Sequence, residues 1–277
     1  MERKPEENEK ISVIMAIYNC ASYLPDAIES ILNQTYSDWE LILCDDASTD
    51  ETYSIAKVYA DQYPGKIILI QNEQNMKLPY SLNHCLQYAT GKYIARMDGD
   101  DKCLPERFEK QIDYLRGHPD IDLVGTAMQR FDESGLGIIN YSIDNPDYYT
   151  LRYNMPFHHA TIMTYKYVYD RLKGYAMLPR TIRVEDYDLW FRFYKAGFKG
   201  NNLTDALYLV REDRNAVRRR KRKYRINGIK TTVYGFRLLN YPTVWLIKPV
   251  MVSLIKCLIP YRLFDWYRHK QAQHMNT

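Results

Sequence analysis

Tyr93-Ile94-Ala95-Arg96-Met97-Asp98-Gly99-Asp100-Asp101 is a short strand-like run that stops in three carboxylates set around one glycine. A D-x-D at a strand end suits a hard divalent cation, because Mg²⁺ and Mn²⁺ take oxygen ligands and accept phosphate oxygens as the rest of the shell. The same acids also serve as helix caps or a solvated turn. A second acidic strand end stands upstream: Trp39 to Cys44 reads as a strand and runs into Asp45-Asp46-Ala47-Ser48-Thr49-Asp50. Leu41, Ile42 and Leu43 are consecutively apolar, the pattern of a strand covered on both faces. Ligands of open α/β sheets bind outside the carboxyl ends of parallel strands, so two acidic ends in one sheet converge on one crevice.

Around these runs, strand and helix patterns alternate. Ile11 to Tyr18 reads as the first strand, and Leu24, Ala27, Ile28, Ile31 and Leu32 follow at the spacing of a buried helix face. A helix from about Asp50 to Gln62 is broken by Pro64-Gly65, ahead of a strand over Lys66 to Ile70. Further helices are expected over roughly Tyr80 to Ala89 and from Pro105 to Arg116, the latter capped by Gly117. This rhythm predicts an α/β fold, a Rossmann-like, mainly parallel sheet with helices on both faces. From Phe131 to Met155 the chain is rich in Gly, Asn, Asp and Tyr, which reads as an irregular or antiparallel insertion that shapes a second substrate site. His159 to Met163 is a strand candidate, Lys166 to Leu172 a short helix, and Glu185 to Phe193 a helix with acids in its first turn.

Composition narrows the class. A chain of 277 residues, 46% hydrophobic, buries a full core and is neither disordered nor fibrous. Cys20, Cys44, Cys85, Cys103 and Cys257 are scattered without C-x-x-C spacing, which argues against a disulfide framework or zinc site and for a reducing cytoplasm. Residues 1–10 are polar, without the apolar core of a secretory signal, and read as a flexible leader. No phosphate-binding G-x-x-x-x-G-K-[ST], no G-x-G-x-x-G after a strand and no G-x-S-x-G elbow occurs.

Four segments, taken in order and spacing, resemble the family 2 glycosyltransferases: Val13 to Asn19, Glu40 to Asp50, Met97 to Asp101, and Glu185-Asp186-Tyr187-Asp188-Leu189-Trp190. The resemblance covers about residues 11–212, with a nucleotide-binding half to about 101 and an acceptor-binding half from about 102. It implies the GT-A fold, a nucleotide-diphosphate sugar donor, Mn²⁺ or Mg²⁺, and inversion at the anomeric carbon. By the same resemblance, Tyr18 and the backbone at Ala16 lie beside the base and Asp46 accepts from uracil N3–H. Asp98 contacts the ribose or the metal through water, Asp100 coordinates the metal, and His159 faces the diphosphate or metal. Asp186 takes the place of the base that deprotonates the acceptor hydroxyl, a role that an inverting transfer requires on the face opposite the leaving group. The resemblance implies a UDP-linked donor and a glycan or lipid-linked acceptor in cell-surface polysaccharide synthesis. A nucleotidyltransferase of related architecture and a receiver-like signalling protein are the alternatives.

Charge is divided along the chain. From Arg214 onward, fifteen Lys or Arg stand against the single acid Asp265, whereas the first 213 residues hold 23 basic and 33 acidic side chains. Such an acidic body with a basic end suits an anionic surface. Arg218 to Lys223 would bind nucleic-acid phosphates without discrimination, but Val244 to Tyr261 is apolar with two lysines and two prolines. It is too interrupted to span a bilayer and fits an amphipathic helix lying in the membrane interface. Residues 213–277 are therefore expected to be a membrane-associating extension, peripheral on the inner face of the cell membrane, with packing on the catalytic domain or on a partner as the other reading.

Overall fold

The computed structural model describes residues 9–212 and 222–258. Strands β1 (Ile11–Ile17), β2 (Trp39–Asp45), β3 (Ile67–Gln71) and β4 (Tyr93–Arg96) alternate with helices α1 (Leu24–Leu32), α2 (Thr52–Gln62) and α3 (Leu78–Tyr88). These four strands are parallel in the spatial order β3-β2-β1-β4, with Ile11 opposite both Trp39 and Tyr93. The sheet continues through β5 (Lys102–Cys103), β6 (Leu123–Asp132), β7 (Gly135–Asn140), β8 (Met163–Tyr165) and β9 (Gly200–Arg211), between which lie α4 (Arg107–Gly117), α5 (Lys166–Leu172) and α6 (Glu185–Lys195). The order beyond β4 is β8-β6-β9-β5, with β7 hairpinned onto β6.

Parallel pairing is thus confined to the first half and to β6 with β9; β4–β8, β6–β8, β6–β7 and β5–β9 are antiparallel. The sheet is mainly parallel, as the strand–helix rhythm predicts, with antiparallel joins added where that rhythm ends and α4 hands over to the long β6–β7 hairpin. That hairpin is the antiparallel insertion anticipated between Phe131 and Met155.

Both faces of the sheet are covered, as the apolar run of β2 requires. Ile11, Val13, Met15 and Ile17 of β1 point with Leu41 and Leu43 toward α1 and α4, where they meet Leu24, Ile28, Phe108 and Ile112. Ile14, Ile42 and Cys44 point the other way and join Leu82 and Cys85 of α3 and Leu189 and Trp190 of α6. The alternation is the period-2 geometry of a pleated strand. Cys20, Cys44, Cys85 and Cys103 are free thiols.

Two local expectations are corrected. His159–Thr161 is a 3₁₀ turn, and the strand begins only at Met163. Thr161 explains it: its hydroxyl donates to the His158 carbonyl at 2.9 Å and accepts from the Thr126 amide at 3.0 Å, side-chain bonds that favour a turn over a ladder. Gly117 lies within α4, which ends at His118 in extended backbone (φ −130°), so no left-handed glycine cap forms there.

Beyond residue 221, α7 (Arg222–Leu238) and α8 (Ile247–Leu258) are helical as expected, and Arg218 to Lys221 of the basic run lie outside the described residues. Helix α7 packs on α6. Phe236 is buried with its ring 6.1 Å from that of Phe191, and the Thr231 hydroxyl donates to the Arg180 carbonyl at 3.0 Å. This part of the basic extension therefore shares the core of the catalytic body. No helix among the described residues is long and apolar enough to cross a membrane.

A side chain at Gly235 would place its Cβ 2.1 Å from the Phe191 ring. Gly235→Ala should therefore destabilise the protein by about 1–3 kcal/mol through overpacking. An unchanged urea midpoint would show that α7 does not seat on α6.

Candidate active site

The carboxyl ends of β1, β2 and β3 are tied by the backbone: the Asp46 amide donates to the Ile17 carbonyl and the Asn72 amide to the Asp45 carbonyl, both at 2.9 Å. The loops that follow are stapled side by side. Asn19 donates its amide to the Ser48 hydroxyl at 3.0 Å and accepts from the Thr49 amide at 2.8 Å. Asn19 (φ 48°), Ala47 (φ 56°) and Lys77 (φ 76°) all sit in the left-handed region, where a side chain costs of order 1–3 kcal/mol and where strain concentrates at ligand sites.

Asp46 holds the third of these loops. Its Oδ1 accepts from Asn72 Nδ2 at 2.8 Å and from the Met76 amide at 2.7 Å, and its Oδ2 accepts from the Lys77 amide at 2.9 Å. The buried carboxylate thus fixes residues 72–77 beside the crevice. Its neighbour Asp45 accepts from the Ser48 amide and Gln71 through Oδ2, while its buried Oδ1 has no partner among the described residues. Tyr18, 47% exposed at the end of β1, leaves its ring open to a planar ligand, and Ala16 lies behind it, half-buried opposite Cys44.

The acids after β4 form the second part of the site. Gly99 is required there, since a Cβ would lie 2.8 Å from Ile17 Cγ2. One oxygen each from Asp98, Asp100 and Asp101 fall within 4.8 Å of one another. Burial pushes the Asp101 carboxyl well up, and the charges of Asp98 and Asp100 push it further. A compact all-oxygen set of mutually repelling carboxylates fits a hard divalent cation. Asp101 is also tied down, accepting from the Tyr208 hydroxyl at 2.9 Å and the Arg211 amide at 2.8 Å.

Arg96 links this cluster to the rest. Its guanidinium is buried and pairs with Asp98 Oδ1 at 2.5 Å, while its Nε has no partner among the described residues. Burial opposes the charge most strongly, but Asp98 together with Tyr208, Tyr175 and Asp101 overcomes it and keeps Arg96 protonated. The same positive charge reaches Glu185 and Asp186 at the start of α6. Burial raises the carboxyl of Asp186, against the Tyr187 amide that donates to it at 2.8 Å and against Arg96. Burial and then Asp186 raise that of Glu185, whose Oε2 is buried without a partner among the described residues.

His159 does not join the acids. Its Nε2 lies 2.8 Å from the Tyr175 hydroxyl and its ring meets Trp190 edge-on, and burial, reinforced by Arg96, holds the imidazole neutral. The structure therefore brings together Asp98 and Asp100, and pairs with Asp98 a buried arginine whose charge also acts on Glu185 and Asp186. Tyr18 and Asp46 lie at the neighbouring strand ends.

Sequence reasoning assigned no individual role to Arg96, Asp101, Asp188, Tyr208 or Arg211. A charge inside an apolar strand was the available signal for Arg96. Asp188 is fully buried, bound by Arg180 at 2.5 Å and Arg192 at 2.7 Å, and clamps the segment before α6 onto that helix. Tyr208 and Arg211 come from β9, more than a hundred residues away, and carry no local sign.

Against known proteins, the model of glycosyl transferase family 2 matches residues 12–182. The chain belongs to this family. It is 46% identical over 268 residues to EpsE of Bacillus subtilis, a protein named as a glycosyltransferase, covering 96% of this chain and 95% of that one. To the amylovoran biosynthesis glycosyltransferase AmsE of Erwinia amylovora it is 34% identical over 271 residues, covering 95% and 99%. Its GT-A fold is shared with residues 1–349 of S. aureus TarS, solved with UDP-GlcNAc, at a TM-score of 0.66 and 18% identity over 83% of this chain and 70% of that one. As a family 2 glycosyltransferase, the protein is neither the receiver nor the nucleotidyltransferase weighed from the sequence.

Asp46→Ala should lower stability in the absence of any nucleotide by about 1–3 kcal/mol, because buried donors at Asn72, Met76 and Lys77 lose their acceptor. A nucleotide-free Tm equal to wild type would mean that Asp46 serves the ligand alone.

Proposed function

We propose that this glycosyltransferase moves a sugar from a UDP-sugar to a glycan or lipid-linked acceptor in cell-surface polysaccharide synthesis, with inversion at the anomeric carbon. The observation that carries the reading is one buried cation, Arg96, that pairs with Asp98 of the acidic cluster and whose charge also acts on Asp186. Tyr18 would stack on the base, and the clamped loop 72–77 would border the nucleotide. The UDP-GlcNAc complex of TarS supports a uridine donor on the shared fold, and the name of AmsE supports a polysaccharide product.

Asp98 and Asp100 would hold Mn²⁺ or Mg²⁺, which neutralises charge on the leaving diphosphate when bound. Asp186 would accept the proton of the acceptor hydroxyl as its oxygen attacks C1, opposite the departing nucleoside diphosphate. Glu185, beside it and short of a partner, would receive a hydroxyl of the acceptor. Catalysis would take place in the cytoplasm, on the inner face of the membrane, to which the basic C-terminal extension would bring the enzyme.

Incubation with Mn²⁺ and a panel of UDP-, GDP- and dTDP-sugars tests the reading: slow hydrolysis of one UDP-sugar to UDP and sugar is expected. Release of pyrophosphate, or thermal stabilisation by a purine nucleotide sugar alone, would overturn it. Asp100→Ala should abolish the effect of chelator on donor binding, and equal UDP-sugar affinity of mutant and wild type with and without metal would remove its metal role.

Asp186→Asn should keep donor affinity while cutting turnover by about 10²–10⁴, since an amide preserves shape but takes no proton. The raised Asp186 carboxyl has a definite sign in wild type. The base must be ionised, so turnover falls as pH drops through that raised value, and the acid limb of kcat lies above the ordinary aspartate range. A limb inside that range would place the base elsewhere.

A further inference from the structure

Helix α8 has two faces of different character. Leu246, Val250 and Ser253 are half-buried on the inner side, whereas Ile247, Met251, Leu254 and Ile255 recur at i, i+4, i+7 and i+8 on the outer side. These four are 46% to 61% exposed, a continuous apolar stripe with no cover among the described residues. The stripe does not end at the helix. Tyr148, Tyr149 and Tyr153, from the 3₁₀ segment before His158, stand beside it with exposed rings. Tyr149 lies 6.0 Å from Trp245, and Tyr241 donates its hydroxyl to the Tyr148 carbonyl, joining the two segments into one platform.

Cations are woven through this platform. The Arg152 guanidinium sits 3.5 Å from the centre of the Trp245 ring and 4.8 Å from that of Tyr153, and Lys248 Nζ is 5.1 Å from Tyr153 on its other side. Amphipathic rings with snorkelling Arg and Lys around an apolar helix face match the boundary between headgroups and acyl chains, where ring and stem are apolar and tip is wet. Charge selects the lipid: the segment from Arg214 onward carries fifteen basic residues against one acid, and each basic residue near an anionic leaflet contributes about 1 kcal/mol. A protein partner of equal apolarity would not need this excess.

We propose that the outer face of α8 and the Tyr148–Tyr153 segment together form a docking surface for an anionic lipid bilayer. This gives the membrane association of the proposed function a structural site, and rests on that reading for its purpose. It also couples membrane to chemistry. Tyr187, next to Asp186, donates its hydroxyl to the Leu151 carbonyl at 3.0 Å, and Tyr194 of the same helix donates to the Pro146 carbonyl at 3.1 Å. The helix that carries the base is thus bonded directly to the segment that would meet the lipid, which suits an acceptor anchored in the membrane.

Sedimentation of the full-length protein with vesicles of phosphatidylcholine, with and without phosphatidylglycerol, tests the surface. Wild type should pellet with the anionic vesicles and far less with the neutral ones. Met251→Asp/Ile255→Asp should reduce that binding by roughly tenfold or more. Lys248→Gln should reduce it by about fivefold, the equivalent of one basic residue. Both variants should keep the wild-type Tm and its rise with UDP-sugar, a readout that follows the transferase reading and is independent of lipid. Wild type that stays in solution with anionic vesicles, or a double variant that pellets as well as wild type, overturns the proposal. So does a wild-type dimer that the double variant converts to monomer, since the face would then be covered by a second copy.

Discussion

The ion pair between Arg96 and Asp98 is the constraint around which the site is arranged. A guanidinium at the end of a buried strand costs several kcal/mol unless an anion and further acceptors meet it. Asp98 meets it at 2.5 Å, and Arg107, itself buried, donates to the Arg96 carbonyl at 2.8 Å and stacks on Tyr208. The Tyr208 hydroxyl then accepts from the Asp98 amide and donates to Asp101. Two arginines, a tyrosine and two aspartates therefore hold one another, with β9 closing the set from the far side of the sheet. Loss of β9 would loosen the acids even with β4 intact.

Carboxylates here divide into those spent on architecture and those left for a ligand. Asp46, Asp101 and Asp188 have their oxygens taken by backbone amides, a tyrosine or arginines. Glu185 is buried with one oxygen unpartnered among the described residues, Asp186 beside it accepts from the Tyr187 amide, and their raised protonation equilibria have a price in stability. A carboxyl raised above its unfolded value favours the protonated fold at low pH, and that advantage is lost as pH rises through the raised value. The ionised carboxylates of neutral solution are held against their own preference, a trait common among catalytic groups.

Much of this was legible from residues in sequence. The burial of β1 and β2, the helix face of α1, and the three acidic motifs all lie in contiguous runs, where local pattern and final environment agree. Reading failed where long-range contacts decide. The turn at His159 depends on Thr161 meeting Thr126, and the antiparallel joins of β8 and β9 have no signature in the strands themselves. Asp46 shows a subtler limit: a motif told that the residue matters, but only the fold shows three protein donors on it. The basic C-terminal extension likewise reads as one membrane-associating element, yet α7 turns inward and α8 keeps an exposed outer face, a division set by whether Phe236 finds Phe191.

The seat of α7 on α6 also orders events in time. Synthesis proceeds from the N-terminus, so β1 to β4 and their helices are complete while the ribosome still holds the last third of the chain. Helix α6, with Asp186 at its start, emerges with Phe191 uncovered and waits for residues 222–241. Nascent chains arrested before that point would carry a formed nucleotide half and an unfinished acceptor half. The enzyme would then gain its ability to bind donor before its ability to use it.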